Sequence, residues 1–76
     1  MKMNIKLDSI DKVREFVNIV NRFSSDFDLI SGRYVIDAKS IMGIFSLDLS
    51  KPLTLEIHEA NDEGAALTEA LKPFVI

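Results

Sequence analysis

Apolar and polar residues alternate from Met1 to Leu7. Met1, Met3, Ile5 and Leu7 fall on one side, and Lys2, Asn4 and Lys6 on the other. A period of two predicts a half-buried strand. Asp8 and Ser9, both good helix caps, come next. Ile10, Val13, Phe16, Val17, Val20 and Phe23 then recur at spacings of three and four. That spacing predicts an amphipathic helix of about four turns. Its wet side carries Lys12, Arg14, Glu15, Asn18 and Arg22, and Ser24-Ser25 ends it.

Phe27 and Leu29 alternate with Asp26 and Asp28. Tyr34, Ile36 and Ala38 alternate with Arg33, Val35 and Asp37, and Ser31-Gly32 stands between the two runs. Two alternating runs about a short glycine turn predict a β-hairpin. Ser40 is placed to cap a new helix. Six of the seven residues from Ile41 to Leu47 are apolar or glycine, more than one buried stripe on so short a helix uses. Ile44 and Leu47, spaced i, i+3, share the inward face. Ile41, Met42 and Phe45 are left near the surface as a candidate docking patch.

Asp48 to Pro52 reads as a loop. Leu53, Leu55 and Ile57 alternate with Thr54, Glu56 and His58 as the last strand. Asn61-Asp62-Glu63 supplies a cap followed by acids in a first helical turn, where they complement the helix dipole. Leu67, Ala70, Leu71 and Phe74 form the buried stripe of this helix, and Pro73 stops it at about Lys72. The apolar tail Phe74-Val75-Ile76 is costly to leave in water, so it packs against the body or against a second chain. The order is β-α-β-β-α-β-α, one domain over residues 1–76, without repeat or linker. Every strand has one apolar and one polar face. A single antiparallel sheet with all three helices on one side, an α+β open-faced sandwich, satisfies that pattern.

Composition narrows the chemistry. A chain of 76 residues buries a small core, and an apolar fraction of 47% is ample for one. There is no cysteine, so disulfides and thiolate metal sites are excluded, and a reducing cytoplasm is the expected setting. The start Met1-Lys2-Met3-Asn4-Ile5-Lys6 lacks the long apolar run of a signal peptide. No stretch approaches the roughly 20 apolar residues that span a bilayer. The net charge of −3 argues against a nucleic-acid partner.

The segment Lys39-Ser40-Ile41-Met42-Gly43, continued by Ser46-Leu47, resembles the regulatory-serine segment of HPr, the phosphocarrier of the bacterial sugar phosphotransferase system. The order of elements agrees, so the resemblance covers nearly the whole chain and implies the same open-faced sandwich. In that family a histidine within Gly-x-His-Ala-Arg-Pro, at the start of the first helix, takes a phosphoryl group from enzyme I and passes it on. Helix N–H groups and the arginine favour the phosphate there. Aligning the serine segment and Phe23-Ser24-Ser25-Asp26 puts the histidine slot at Ser9, with Asp8 as the alternative. The arginine slot falls on or beside Asp11, the proline slot on or beside Lys12, and the glycine is missing. Two aspartates there repel a phosphoryl group.

His58, the only histidine, falls on the last strand and points to the open sheet face, with Glu56 or Glu59 near it. It reads as a solvated strand residue. Nothing has metal-ligand spacing, no cofactor is implied, and Asp62/Glu63 reads as capping rather than acid–base chemistry. The expectation is a non-enzymatic protein-interaction domain with no phosphohistidine at the usual site. The family resemblance also implies a second reading. There a dedicated kinase phosphorylates the matching serine, here Ser40, with Lys39 placed to pair with the phosphate. The product binds a transcription regulator of carbon metabolism. The plain alternative keeps Ser40 as a cap and Ile41, Met42 and Phe45 as packing. Expected partners are proteins, either such a regulator or another phosphotransferase-system component, and the chain itself is a monomer or weak homodimer.

Overall fold

The computed structural model describes residues 1–76. In chain order it contains β1 (Lys2–Ile5), α1 (Ile10–Val20), β2 (Asp26–Ser31), β3 (Tyr34–Asp37), α2 (Ile41–Phe45), β4 (Leu53–His58) and α3 (Gly64–Leu71). A 3-10 turn over Lys72–Phe74 follows α3. The strands form one antiparallel sheet in the order β1-β4-β2-β3. One cluster of 15 buried apolar side chains joins the inner face of the sheet to the three helices. Phe27, Leu29, Leu53, Leu55 and Ile57 come from the sheet, and Val13, Phe16, Val20, Ile44, Leu67 and Leu71 from the helices. This is the four-stranded α+β open-faced sandwich that the alternation predicts.

Local chemistry shifts several boundaries. α1 stops at Val20 after three turns, not four. Asn21 donates its side-chain amide to the Val17 carbonyl at 2.8 Å, a side-chain bond that competes with continued helix. Phe23 is then half-buried in the following turn. Ile10 leaves the expected core stripe and is 60% exposed. At 100° per residue it sits roughly 90° round from the centre of the Val13/Phe16/Val20 stripe, at the first turn, where nothing covers it. Tyr34 has the core-side parity of Ile36 but lies beyond the reach of the helices, and it is 71% exposed.

The expected cap of α3 is also replaced. Asn61 and Asp62 lie in a turn before the helix, both in the left-handed region at φ 55°. Glu63 occupies the cap position but makes no capping bond. Its carboxylate instead accepts from the N–H of Ser24 (3.1 Å), the N–H of Ser25 (2.9 Å) and the hydroxyl of Ser25 (2.7 Å). Glu59 takes over the helix end by accepting the N–H of Gly64 at 2.9 Å.

The tail settles on the body. Phe74 is buried, edge-on to Phe16 with ring centroids 5.7 Å apart. Lys6 N–H donates to the Phe74 carbonyl, Ile76 N–H donates to the Asn4 carbonyl, and Val75 bridges to Ile5. The tail thereby covers the outer edge of β1.

Candidate functional site

Ser9 stands just before α1 in extended backbone (φ −147°, ψ 159°), and its hydroxyl accepts the N–H of Lys12 at 3.1 Å. It is a working helix cap. Lys12 leans back towards Asp8, with 3.8 Å between ammonium and carboxylate, and Asp11 lies in the first turn. The helix end is therefore bordered by acids, with one lysine already paired.

Ser40 caps α2 in the same manner. Its hydroxyl accepts the N–H of Gly43 at 3.2 Å, and its own N–H donates to the Asp37 carbonyl. Gly43 makes room for this cap, since a Cβ there would lie 3.3 Å from the Ser40 hydroxyl and from the end of Ile36. Lys39 does not face Ser40's hydroxyl as a free cation. Its ammonium donates to the Phe23 carbonyl at 2.9 Å and lies 5.6 Å from the centre of the Phe27 ring.

The expected docking patch divides. Met42 is 78% exposed and Phe45 43%. Ile41, expected at the surface, is half-buried against the core, because the α2 face carrying buried Ile44 leans it inward. Ile10 and Phe45 line one cleft of about 450 Å³, together with Ser9, Lys6, Leu49 and Ser50. Ser50 is held in place by Asp48, whose carboxylate accepts from its hydroxyl and its N–H. Those two bonds, the hydroxyl's first, hold the Asp48 carboxyl below its usual value. Sequence periodicity places Ser9 and Phe45 in separate features, and the fold brings them to one cleft. Ile10 and Leu49 were missed as parts of it. The legible signal was Ile10's marginal angle on the α1 stripe.

His58 lies apart, at the end of β4 on the face away from buried Ile57. Its Nε2 is 3.1 Å from Asp28 Oδ2 and 4.0 Å from Glu56 Oε1. Glu59, the other expected neighbour, is engaged at Gly64 instead. No group of three His, Cys, Asp or Glu side chains is arranged to hold a metal ion, and no helix is long and apolar enough to cross a membrane.

Known proteins agree with this architecture. The family model described as PTS-HPr, the PTS HPr component phosphorylation site, matches residues 12–75. The HPr-like protein Crh of Halalkalibacterium halodurans is 41% identical over 61 residues, covering 79% of this chain and 71% of that protein. The crystal structure of HPr-C-His from Thermoanaerobacter tengcongensis superposes with a TM-score of 0.77 at 26% identity, covering 95% of this chain and 88% of that one. The phosphocarrier protein HPr from Bacillus anthracis gives 0.69 at 25% identity, covering 92% and 90%. With 64 of its 76 residues matched by the family model and its fold superposing on solved HPr structures, the chain belongs to the HPr family.

Proposed function

We propose that this chain is a non-catalytic HPr-family interaction domain that carries no phosphohistidine at the family's usual site. It engages protein partners of the phosphotransferase system or its regulators through the cleft between α1 and α2. The observation that carries this reading is the cleft itself. It joins the start of α1 to Phe45, and it presents a serine, Ser9, with acids beside it. Met42, Phe45 and Ile10 supply exposed apolar surface, and Ile41 supports it from below. Met42→Asp or Phe45→Asp is expected to weaken capture of such a partner at least about tenfold, as loss of an interface anchor does. An undiminished affinity overturns the docking face. Incubation with enzyme I and phosphoenolpyruvate is expected to leave the mass unchanged. An acid-labile added phosphoryl group on His58 would end the non-carrier reading.

A second reading rests on Ser40, exposed at the start of α2, and on the likeness to a protein named HPr-like Crh. An HPr-type kinase would move the γ-phosphoryl group of ATP to the Ser40 oxygen, releasing ADP and the hydroxyl proton. The new charge would sit where helix N–H groups face it. The phosphorylated domain would then act as a regulator in carbon catabolite control. Lys39 would pair with the phosphate only by releasing the Phe23 carbonyl. The test is the intact mass after incubation with HPr serine kinase and ATP. One phosphate is expected on the wild type and none on Ser40→Ala. Loss of the cap costs Ser40→Ala about 1 kcal/mol, so its melting curve is recorded alongside. A wild type that stays unmodified removes the serine switch and leaves the docking reading standing.

A further inference from the structure

The two outer edges of the sheet are treated differently. The β1 edge is covered by the tail through the Phe74 and Ile76 bonds, whereas β3 has no strand on its outer side. β3 is guarded only by its shortness and by the charge of Asp37, with no lysine and no proline. Instead it presents Tyr34 and Val35, 71% and 60% exposed.

The segment Arg33-Tyr34-Val35-Ile36-Asp37 is complementary to itself when read antiparallel. With Val35 opposite Val35, Tyr34 meets Ile36 and Arg33 meets Asp37. These are an aliphatic pair, an aromatic–β-branched pair and an opposite-charge pair, the kinds that stabilise facing strands. The backbone parity agrees. β2 and β3 are joined through Gly32-Arg33, with Ser31 and Tyr34 as the first pair and Gly32 at φ 58°. In a two-residue hairpin that pair exchanges both its hydrogen bonds. Tyr34 and Ile36 thus turn their backbone groups to β2, while Val35 turns both of its groups outward.

Charge on the open face supplies a third argument. Glu56, Asp28 and Asp37 are successive cross-strand partners, so three carboxylates lie in one row. Lys2 neutralises the Glu56 end at 4.0 Å. The Asp37 end has no cation, and Asp37 uses only Oδ1, to hold the N–H of Lys39. Arg33 for its part makes no ion pair within its own chain. A second copy in the register above brings its Arg33 to the open end of the row.

We propose that β3 is a self-pairing edge: two copies join antiparallel about a two-fold axis at Val35, fusing two four-stranded sheets into one. Such an isologous contact needs a self-complementary patch, which this strand provides. Four-residue strands make few bonds, so the dimer is weak and depends on concentration and on salt.

The chain has no cysteine, so single cysteines report the register cleanly. Cα atoms of a hydrogen-bonded antiparallel pair are about 5.5 Å apart, within disulfide reach, while residues two positions out of register exceed it. Val35→Cys is expected to oxidise to a covalent dimer at least about tenfold faster than Tyr34→Cys, although Tyr34 is the more exposed side chain. Sedimentation equilibrium of the wild type is expected to show average mass rising with concentration. Val35→Lys, which sets two ammonium groups face to face, is expected to abolish that rise. Both positions are exposed, so melting curves confirm that the variants fold. A wild type monomeric at every concentration, a dimer that survives Val35→Lys, or equal oxidation of the two cysteines would each overturn the proposal.

Discussion

Phe74→Ala is expected to remove about half of the stability of this protein. Phe74 is only 2% exposed and meets the buried Phe16 ring edge-on, with planes 81° apart. Truncating a buried phenylalanine costs about 3–5 kcal/mol, from lost transfer energy and the cavity left behind. A chain of this length has about 4–11 kcal/mol in total, at roughly 0.05–0.15 kcal/mol per residue. The same residue anchors the tail over β1, through the bonds at Lys6 and Asn4. Urea unfolding followed by far-ultraviolet circular dichroism checks this, and the midpoint is expected to fall by at least about 2 M. Val75→Ala is the comparison. Val75 is 45% exposed, and its truncation is expected to cost less than about 1 kcal/mol. If both variants fall equally, the tail is held by its backbone bonds and not by the Phe16 contact.

Ser25→Ala is expected to give the second large loss, and to change its size with pH. Ser25 is the one fully buried polar residue. Its hydroxyl donates to Glu63 at 2.7 Å and accepts the N–H of Ala60 at 2.9 Å. Alanine leaves that N–H without this partner and deprives the carboxylate of a donor, a change worth about 1–3 kcal/mol. The Ser25 hydroxyl is also the main reason the Glu63 carboxyl lies below its ordinary 4.5. The N–H groups of Ser24 and Ser25 assist, and partial desolvation opposes them. A carboxyl lowered in the folded state is protonated first in the unfolded chain as pH falls. Its stabilisation is therefore present above about pH 4.5 and is lost as pH falls through the lower, folded value. Urea midpoints measured at neutral pH and in steps below pH 4.5 should show wild type and Ser25→Ala converging in acid. A constant gap would mean that the hydroxyl acts through Ala60 alone.

Much of the fold was legible because burial on one face leaves a period in the sequence. Met3-Asn4-Ile5, Phe27-Asp28-Leu29 and Leu53-Thr54-Leu55 each alternate, and each became a strand of the sheet. The stripe Val13, Phe16, Val20 is buried as its spacing requires. The caps Ser9 and Ser40 work as read, because a capping bond reaches only three residues and needs no distant partner. What misled were residues whose best partner is far along the chain. Glu63 looked like a first-turn acid, but it reaches back 38 residues to Ser25, which local patterning does not report. The partner that Lys39 takes in the unmodified chain, the Phe23 carbonyl 16 residues away, is equally invisible to local patterning.

The candidate site divides along the same line. The sequence by itself determined which residue types are available: serines at two helix starts, acids beside Ser9, one histidine on a strand, and surplus apolar residues in α2. It also determined the order of strands and helices, because alternation and helical spacing are short-range effects, while several boundaries and the cap of α3 were left to longer-range partners. Only the tertiary structure decided that Ile10 and Phe45 face one cleft with Ser9, that Ile41 turns inward, and that His58 takes Asp28 as its neighbour. It also decided that the tail closes one edge of the sheet while β3 keeps the other open. The reason is physical. Which element lies beside which is set by packing one shared core, and that outcome depends on every buried face at once.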